Sequence, residues 1–340
     1  RRGGLHTTMM RSRFVLLLIV LYLCPNVFRA QVLSSRDQTI RDFMAMGIPF
    51  YGANKVEILP TGIIKFNDLF PAIDRAEHFI HMDYFKFQQD SICGVFFDHL
   101  RAKARQGVEV RVVYDDVGNR NSPLPLRKSY MDSLRADGVQ LYEFDRFKFP
   151  SINHMLHRDH HKIAIIDGRM VYTGGMNVAD YYLHGKPEVG EWRDMHMRVD
   201  GPLVAGYEEI FEAMWLKVTG ERLGPEYKEV CGTFDRGQSL VALCDRVPRK
   251  TASIMRDTYI TCIDNAQSLI QIVNPYITLT IGIRKALNRA LRRGVRLQIM
   301  LSTKNDGPVV PDVAGIEMRK LQKRGAEIYY YEGGFHHSKV

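Results

Sequence analysis

Short apolar runs alternate along this chain with longer stretches whose apolar residues recur every three or four positions. Phe79 to Phe85 reads as a strand, and residues 92–105 carry the spacing of an amphipathic helix. Gly107 then precedes a strand-like run from Val108 to Tyr114, and Gly294 precedes another from Val295 to Leu301. Glycine at the end of a helix fits the left-handed position that closes it, since it has no Cβ to clash. Ile163 to Ile166 is a four-residue apolar run of the kind that forms a buried strand. Helices alternating with strands predict an α/β fold, a mixed or parallel sheet with helices packed on it.

The pattern occurs twice. Ala72-Ile73-Asp74-Arg75-Ala76 recurs as Cys262-Ile263-Asp264-Asn265-Ala266. Gly294 follows Gly107 by 187 residues, and Gly325 follows Gly138 by the same 187, with similar flanks each time. A period this long predicts two tandem units, each a mixed sheet flanked by helices. The first spans 31–220 and the second, incomplete, spans 250–340, with a linker region at 221–249. From Gly138 to His160 is 22 residues, but from Gly325 to His337 only 12, so the first unit carries about ten extra residues around Phe147 to Met155.

The chain ends are the next informative features. Arg11 and Arg13 precede an apolar run from Phe14 to Cys24, with Ala30 before Gln31. Residues 1–30 therefore read as upstream residues plus a secretory signal or short anchor. The run is shorter than the roughly 20 residues of a comfortable membrane span. At the other end His337-Ser338-Lys339 stops short of any partner carboxylate, so a polypeptide ending at Val340 is expected to lack part of its second unit and to be inactive. The 340 residues are 45% hydrophobic and 25% charged, which suits a globular protein of two domains. A net charge of +9 favours anionic surfaces, lipid or nucleic acid. Five cysteines without a Cys-x-x-Cys pair give no zinc or redox framework, although Cys231 and Cys244 are spaced so that they can pair or stay free. The cluster His154, His157, Asp159, His160 and His161 matches no standard zinc spacing, so no metal and no cofactor is expected.

The chemistry-bearing stretch is His160, Lys162 and Asp167, followed by Gly174-Gly175-Met176-Asn177. Alternation along a strand places His160 and Lys162 on one face. An imidazole beside a fixed cation suits attack on phosphorus with the phosphate oxygens held by the ammonium. His337 and Lys339 stand at the matching place in the second unit, so the two histidines are expected to meet at a pseudo-twofold interface.

This HxKxxxxD pattern, its truncated repeat and the Gly-Gly-x-Asn segment resemble the phospholipase D superfamily. With Asp83-Tyr84-Phe85, Trp192-Arg193-Asp194, Asn274-Pro275-Tyr276 and Gly334-Phe335-His336, the resemblance is closest to bacterial cardiolipin synthases. It covers nearly everything from about Asn54 onward. The resemblance implies a phosphatidyltransferase that moves a phosphatidyl group between two phosphatidylglycerols through a phosphohistidine and releases glycerol. It implies His160 as nucleophile, His337 as acid, Lys162 and Lys339 on the phosphate oxygens, Asn177 as a phosphate contact and Asp167 as the carboxylate orienting an imidazole. The alternatives are a phospholipase D hydrolysing lipids to phosphatidic acid, a phospholipase D-like nuclease, and a non-catalytic binding module. The expected partners are anionic phospholipids at a bacterial membrane surface, peripheral or anchored and exported, with no nucleic acid and no obligate protein partner.

Overall fold

The computed structural model describes residues 34–146, 157–228, 237–246, 253–306 and 310–340. In the first unit α1 (Ser35–Ala45) leads to β1 (Phe50–Leu59), α2 (Gly62–Asp74), β2 (Phe79–Tyr84), α3 (Ser91–Arg105) and β3 (Glu109–Asp115). After the short α4 (Asp116–Arg120) come α5 (Lys128–Ala136), β4 (Gln140–Phe144), β5 (Lys162–Ile166), β6 (Met170–Gly174), α6 (Tyr181–His184), β7 (Glu191–Arg193), β8 (His196–Asp200) and α7 (Leu203–Thr219). Asp90 and Asp115 cap α3 and α4, each accepting from a backbone N–H of the first turn.

Eight strands form one mixed sheet in the order β4-β3-β2-β5-β6-β8-β1-β9. β2, β3 and β4 are parallel, and every pairing from β2–β5 onward is antiparallel. All six residues of β2 are buried, as expected of a central strand covered on both faces. Ile80, Met82 and Tyr84 pack with Phe66, Leu69, Phe96 and Phe97 of α2 and α3. Phe79, Val113, Ile163 and Ile165 belong to a second core with Phe211 and Trp215 of α7. The stretch 221–249 is more than a connection, because its Ser239–Ala242 is β9, the edge strand beside β1.

The second unit is built from α8 (Ile254–Asn265), β10 (Leu269–Val273), α9 (Ile281–Arg292), β11 (Arg296–Ser302), α10 (Val310–Gln322), β12 (Glu327–Tyr331) and β13 (Gly334–His336). β10, β11 and β12 form a parallel sheet, cored by residues such as Leu287, Leu297, Ile299, Met318 and Leu321. The duplication is visible in register. Asp83 on β2 faces Ile163 across an antiparallel pair. In the second unit Val273 and Val340 exchange both backbone hydrogen bonds, at 2.6 and 3.0 Å, the signature of an antiparallel pair. Ile163 and Val340 each follow the lysine of a His-x-Lys, so both motifs enter their sheets at the same place.

The four repeated glycines share one explanation. Gly107, Gly138, Gly294 and Gly325 all have φ between +84° and +99°, and the residue after each reaches back to a helix carbonyl, as Val108 does to Lys103 at 3.1 Å. A Cβ on Gly107 would meet nothing within 4 Å, so the left-handed backbone, not space, demands glycine there.

Several expectations fall on residues that are not described. They include the extra segment around Phe147 to Met155, His154, Cys231 and the apolar run Phe14 to Cys24. Cys93, Cys244 and Cys262 carry free thiols. Among the described residues, no helix is long and apolar enough to cross a membrane.

Candidate active site

The two units meet through β13 and β7, which pair in parallel with Phe335 opposite Trp192. The rings of those two residues pack edge to face with centroids 4.7 Å apart, and His337 donates its backbone N–H to the Arg193 carbonyl at 2.6 Å. This seam carries His337 from the second unit toward the His160 motif of the first. Lys339 and His337 are near enough to His160 to count among the charges that act on it.

His160 precedes β5 and packs against the Phe85 ring, centroid to centroid 4.6 Å. Part of its ring reaches solvent, yet the site around it is crowded. Desolvation first, then the Lys162 and Lys339 charges, push its pKa down to about 3. The ring is therefore neutral at physiological pH, the form that can attack phosphorus. Lys162 opens β5 and is 3% exposed, and its ammonium donates to the His160 carbonyl at 2.7 Å. Burial brings its pKa down to about 7 and that of Lys339 to about 8.

His337 Nδ1 lies 2.6 Å from Asp194 Oδ2. An ionised carboxylate only accepts, so Nδ1 carries the proton and Nε2 is left for chemistry. The Lys339 ammonium lies against the same ring, 2.8 Å from each of its nitrogens. Burial lowers the His337 pKa while the Asp194 hydrogen bond raises it, and the net direction is downward. Asp194 is 1% exposed, and its Oδ1 accepts from the Met195 N–H at 2.8 Å. Gly175 makes room for it, because a Cβ there would lie 2.2 Å from Asp194 Oδ1. The second glycine of Gly174-Gly175 is thus explained by a carboxylate further along the chain, in the turn between β7 and β8.

Asp167 does not join this cluster. Its Oδ1 accepts from the His78 and Phe79 N–H groups at 2.8 and 3.0 Å, and its Oδ2 from Glu77 at 2.9 Å. The expectation that Asp167 orients an imidazole is corrected. Its oxygens are committed to the backbone that launches β2, and the carboxylate on the His337 imidazole is Asp194. Asn177 is buried, its side-chain nitrogen 3.4 Å from Tyr182 Oη. Its carbonyl and that of Met176 accept from the ammonium of Lys65, at 3.2 and 3.1 Å.

Sequence reasoning missed Lys65 and gave Asp194 no role. Lys65 is fully buried, and burial brings its pKa to about 7. Its signal was present, since it shares the buried stripe of Leu69, Ala72 and Ile73 on α2, where a lysine has to find carbonyls.

Asp83, Asp159 and His161 are the group among the described residues whose donor atoms lie within 4.8 Å of one another, as a metal site requires. His161 Nδ1 is 2.8 Å from Asp159 and its Nε2 is 3.0 Å from Asp245. Against the cost of burial, hydrogen bonds to Asp159, Asp245 and Asp83 hold the His161 pKa well above its ordinary value. Burial and the Asp159 charge hold the Asp83 carboxyl well up. A protonated Asp83, an ionised Asp159 and an imidazolium balance one another, so the residues supply their own cation.

With this geometry in view, comparisons place the chain. Residues 69–215 and 259–340 match the family described as "Cardiolipin synthase, PLD-like domain". The chain belongs to this phospholipase D-like family, close to the cardiolipin synthases. It is 33% identical over 288 residues to the probable cardiolipin synthase YwiE of Bacillus subtilis, covering 84% of this chain and 57% of that protein. It is 33% identical over 290 residues to a cardiolipin synthase of Geobacillus kaustophilus, covering 85% and 57%. The chain spans a little over half the length of these relatives. Its fold resembles the crystal structure of a phosphatidylserine synthase of Haemophilus influenzae, with a TM-score of 0.63 over 88% of this chain and 79% of that one. At 14% identity that likeness speaks to the fold alone.

Proposed function

We propose that the protein is a phosphatidyltransferase of cardiolipin synthase type, using phosphatidylglycerol as both donor and acceptor at a membrane surface. The observation that carries this reading is the convergence of two His-Lys pairs from duplicated units, one imidazole neutral and the other on a buried carboxylate. In the first step a His160 ring nitrogen attacks phosphorus and the bond to the glycerol oxygen breaks. His337 enters this step as the imidazolium, its Nε2 proton passes to that oxygen, and glycerol leaves with the ring now neutral. In the second step a hydroxyl of another phosphatidylglycerol loses its proton to His337. Its oxygen bonds to phosphorus as the P–N bond breaks, giving cardiolipin and restoring both rings. Lys162 and Lys339 offset the charge on the equatorial oxygens, and Asn177 supplies a further hydrogen bond nearby. The same reading takes 250–340 as the second unit and 31–220, with the edge strand β9 added, as the first.

The full-length protein incubated with phosphatidylglycerol vesicles is expected to form cardiolipin and glycerol in equal amounts. Phosphatidic acid as the main product would make the protein a hydrolase. Cleavage of DNA without action on lipid would make it a nuclease.

A further inference from the structure

Beside the two histidines lies a second pair of ammonium groups that the reacting phosphate does not use. Lys86 follows Phe85, the ring against His160, and its Nζ stands 5.9 Å from the centre of the Tyr181 ring. Lys186 Nζ lies 4.6 Å from the Tyr181 ring centre and 4.6 Å from that of Trp192. Trp192 in turn packs against His337, with centroids 5.2 Å apart. Lys186 is thus one ring away from His337, and both ammonium groups stand by the same Tyr181 ring.

Their backbones are fixed. Lys186 closes the neck of a tight loop, exchanging hydrogen bonds with Gly190 at 2.9 and 2.7 Å. A Cβ on Gly185 would lie 2.1 Å from the Gly190 carbonyl oxygen, so that neck closes on glycine alone. Lys86 sits between two anchors, Phe85 N–H on the His161 carbonyl and Gln88 N–H on the Val178 carbonyl. Lys304 stands next to Gly190 as well, its Nζ 3.6 Å from where a Cβ there would sit. The carboxylates that act on Lys86 are Asp306 and Asp90, and Asp194 joins them at the Tyr181 ring. Asp306 already accepts from Tyr276 Oη at 2.6 Å, Asp90 from the N–H of Asp180 at 2.7 Å, and Asp194 is on His337. Burial and the neighbouring Lys186 charge lower the Lys86 pKa, the mark of two cations held together. Such an arrangement is stabilised when an anion enters between them.

We infer that Lys86 and Lys186 bind the phosphodiester of the acceptor, so that the second site is built for an anionic glycerol phosphate headgroup and not for a neutral alcohol. This rests on the transferase reading above. While Lys162 and Lys339 hold the phosphorus bound to His160, the second pair holds the acceptor's own phosphate. The acceptor's terminal hydroxyl then lies against His337, which takes its proton as the oxygen displaces the His160 nitrogen from phosphorus. Water and simple alcohols reach the same phosphorus without help from this pair.

The test is a competition in phosphatidylglycerol vesicles with ethanol added, measuring cardiolipin against phosphatidylethanol from the same phosphohistidine. In Lys86→Gln, Lys186→Gln and the double variant the ratio of cardiolipin to phosphatidylethanol is expected to fall about tenfold or more, the loss of a charged contact. Lys186→Arg restores most of it. A parallel fall in both products, or an unchanged ratio, overturns the inference. A wild-type protein that makes no cardiolipin at all overturns the transferase reading, before any variant is compared.

Discussion

Asp194→Asn removes a negative charge from beside His337 without changing the shape of the side chain. Asp194 Oδ1 accepts from Met195 N–H at 2.8 Å, while Oδ2 meets His337 Nδ1 at 2.6 Å. In the asparagine variant the amide oxygen keeps the Met195 bond, because an NH₂ there would face another donor. The NH₂ group therefore turns toward His337 and donates to Nδ1. That forces the ring proton onto Nε2 and leaves no carboxylate to stabilise the imidazolium that donates to the leaving glycerol. A hydrogen bond to a charged partner contributes about 1.5–3 kcal/mol, which is about a 10- to 150-fold factor in rate. Loss of the tautomer adds to it, as it does where a carboxylate orients a catalytic histidine. The expected result is a fall in kcat of about a hundredfold or more, with a melting temperature close to wild type. The assay is initial-rate transfer from labelled phosphatidylglycerol across a pH series. A variant keeping more than about a third of wild-type kcat, far less than the loss of one such bond, would refute the assignment of Asp194 to His337.

Three further outcomes are expected. His160→Ala abolishes transfer while changing stability by only about 0.5 kcal/mol or less, because the ring is partly open to solvent; chemical denaturation alongside the activity assay checks both halves. Asp167→Ala leaves the N–H groups of residues 77–79 without their acceptor, and about 1–3 kcal/mol of stability is lost. That loss is read as a shifted denaturation midpoint, and an unchanged midpoint would contradict the structural role. Finally, kcat/KM falls as pH rises through about 7 to 8, because Lys162 and Lys339 lose their protons there while His160 is already neutral above about 3. His337, its pKa lowered by burial, loses its proton below this window and lowers the rate in the same direction as pH rises. A profile that rises across this window would contradict the ionisation scheme.

Much of this was legible in the sequence because it is periodic or duplicated. The paired glycines mark four helix ends, and equal spacing between them marks the two units. His160, Lys162, His337 and Lys339 come from one spacing seen twice. What pattern could not show is which groups share a wall after folding. Asp167 stands in the motif, yet it turns away to bind the backbone before β2. Asp194 stands outside it, and only the parallel pairing of β13 with β7 brings it to His337. Lys65 shows in the sequence only as a lysine on an apolar stripe, and its carbonyl partners appear once α2 is packed against the loop after Gly175. Contacts between residues more than a hundred positions apart are set by topology, and local spacing carries no trace of them.

The central claim is that an imidazole of the first unit carries the phosphatidyl group while one of the second handles the proton. It is tested most directly by quenching turnover of labelled phosphatidylglycerol in denaturant and locating the label by mass spectrometry. The account predicts an acid-labile, alkali-stable phosphoramidate on His160 that disappears in His160→Ala. Label on any other residue, or turnover with no covalent adduct under rapid quench, would contradict it.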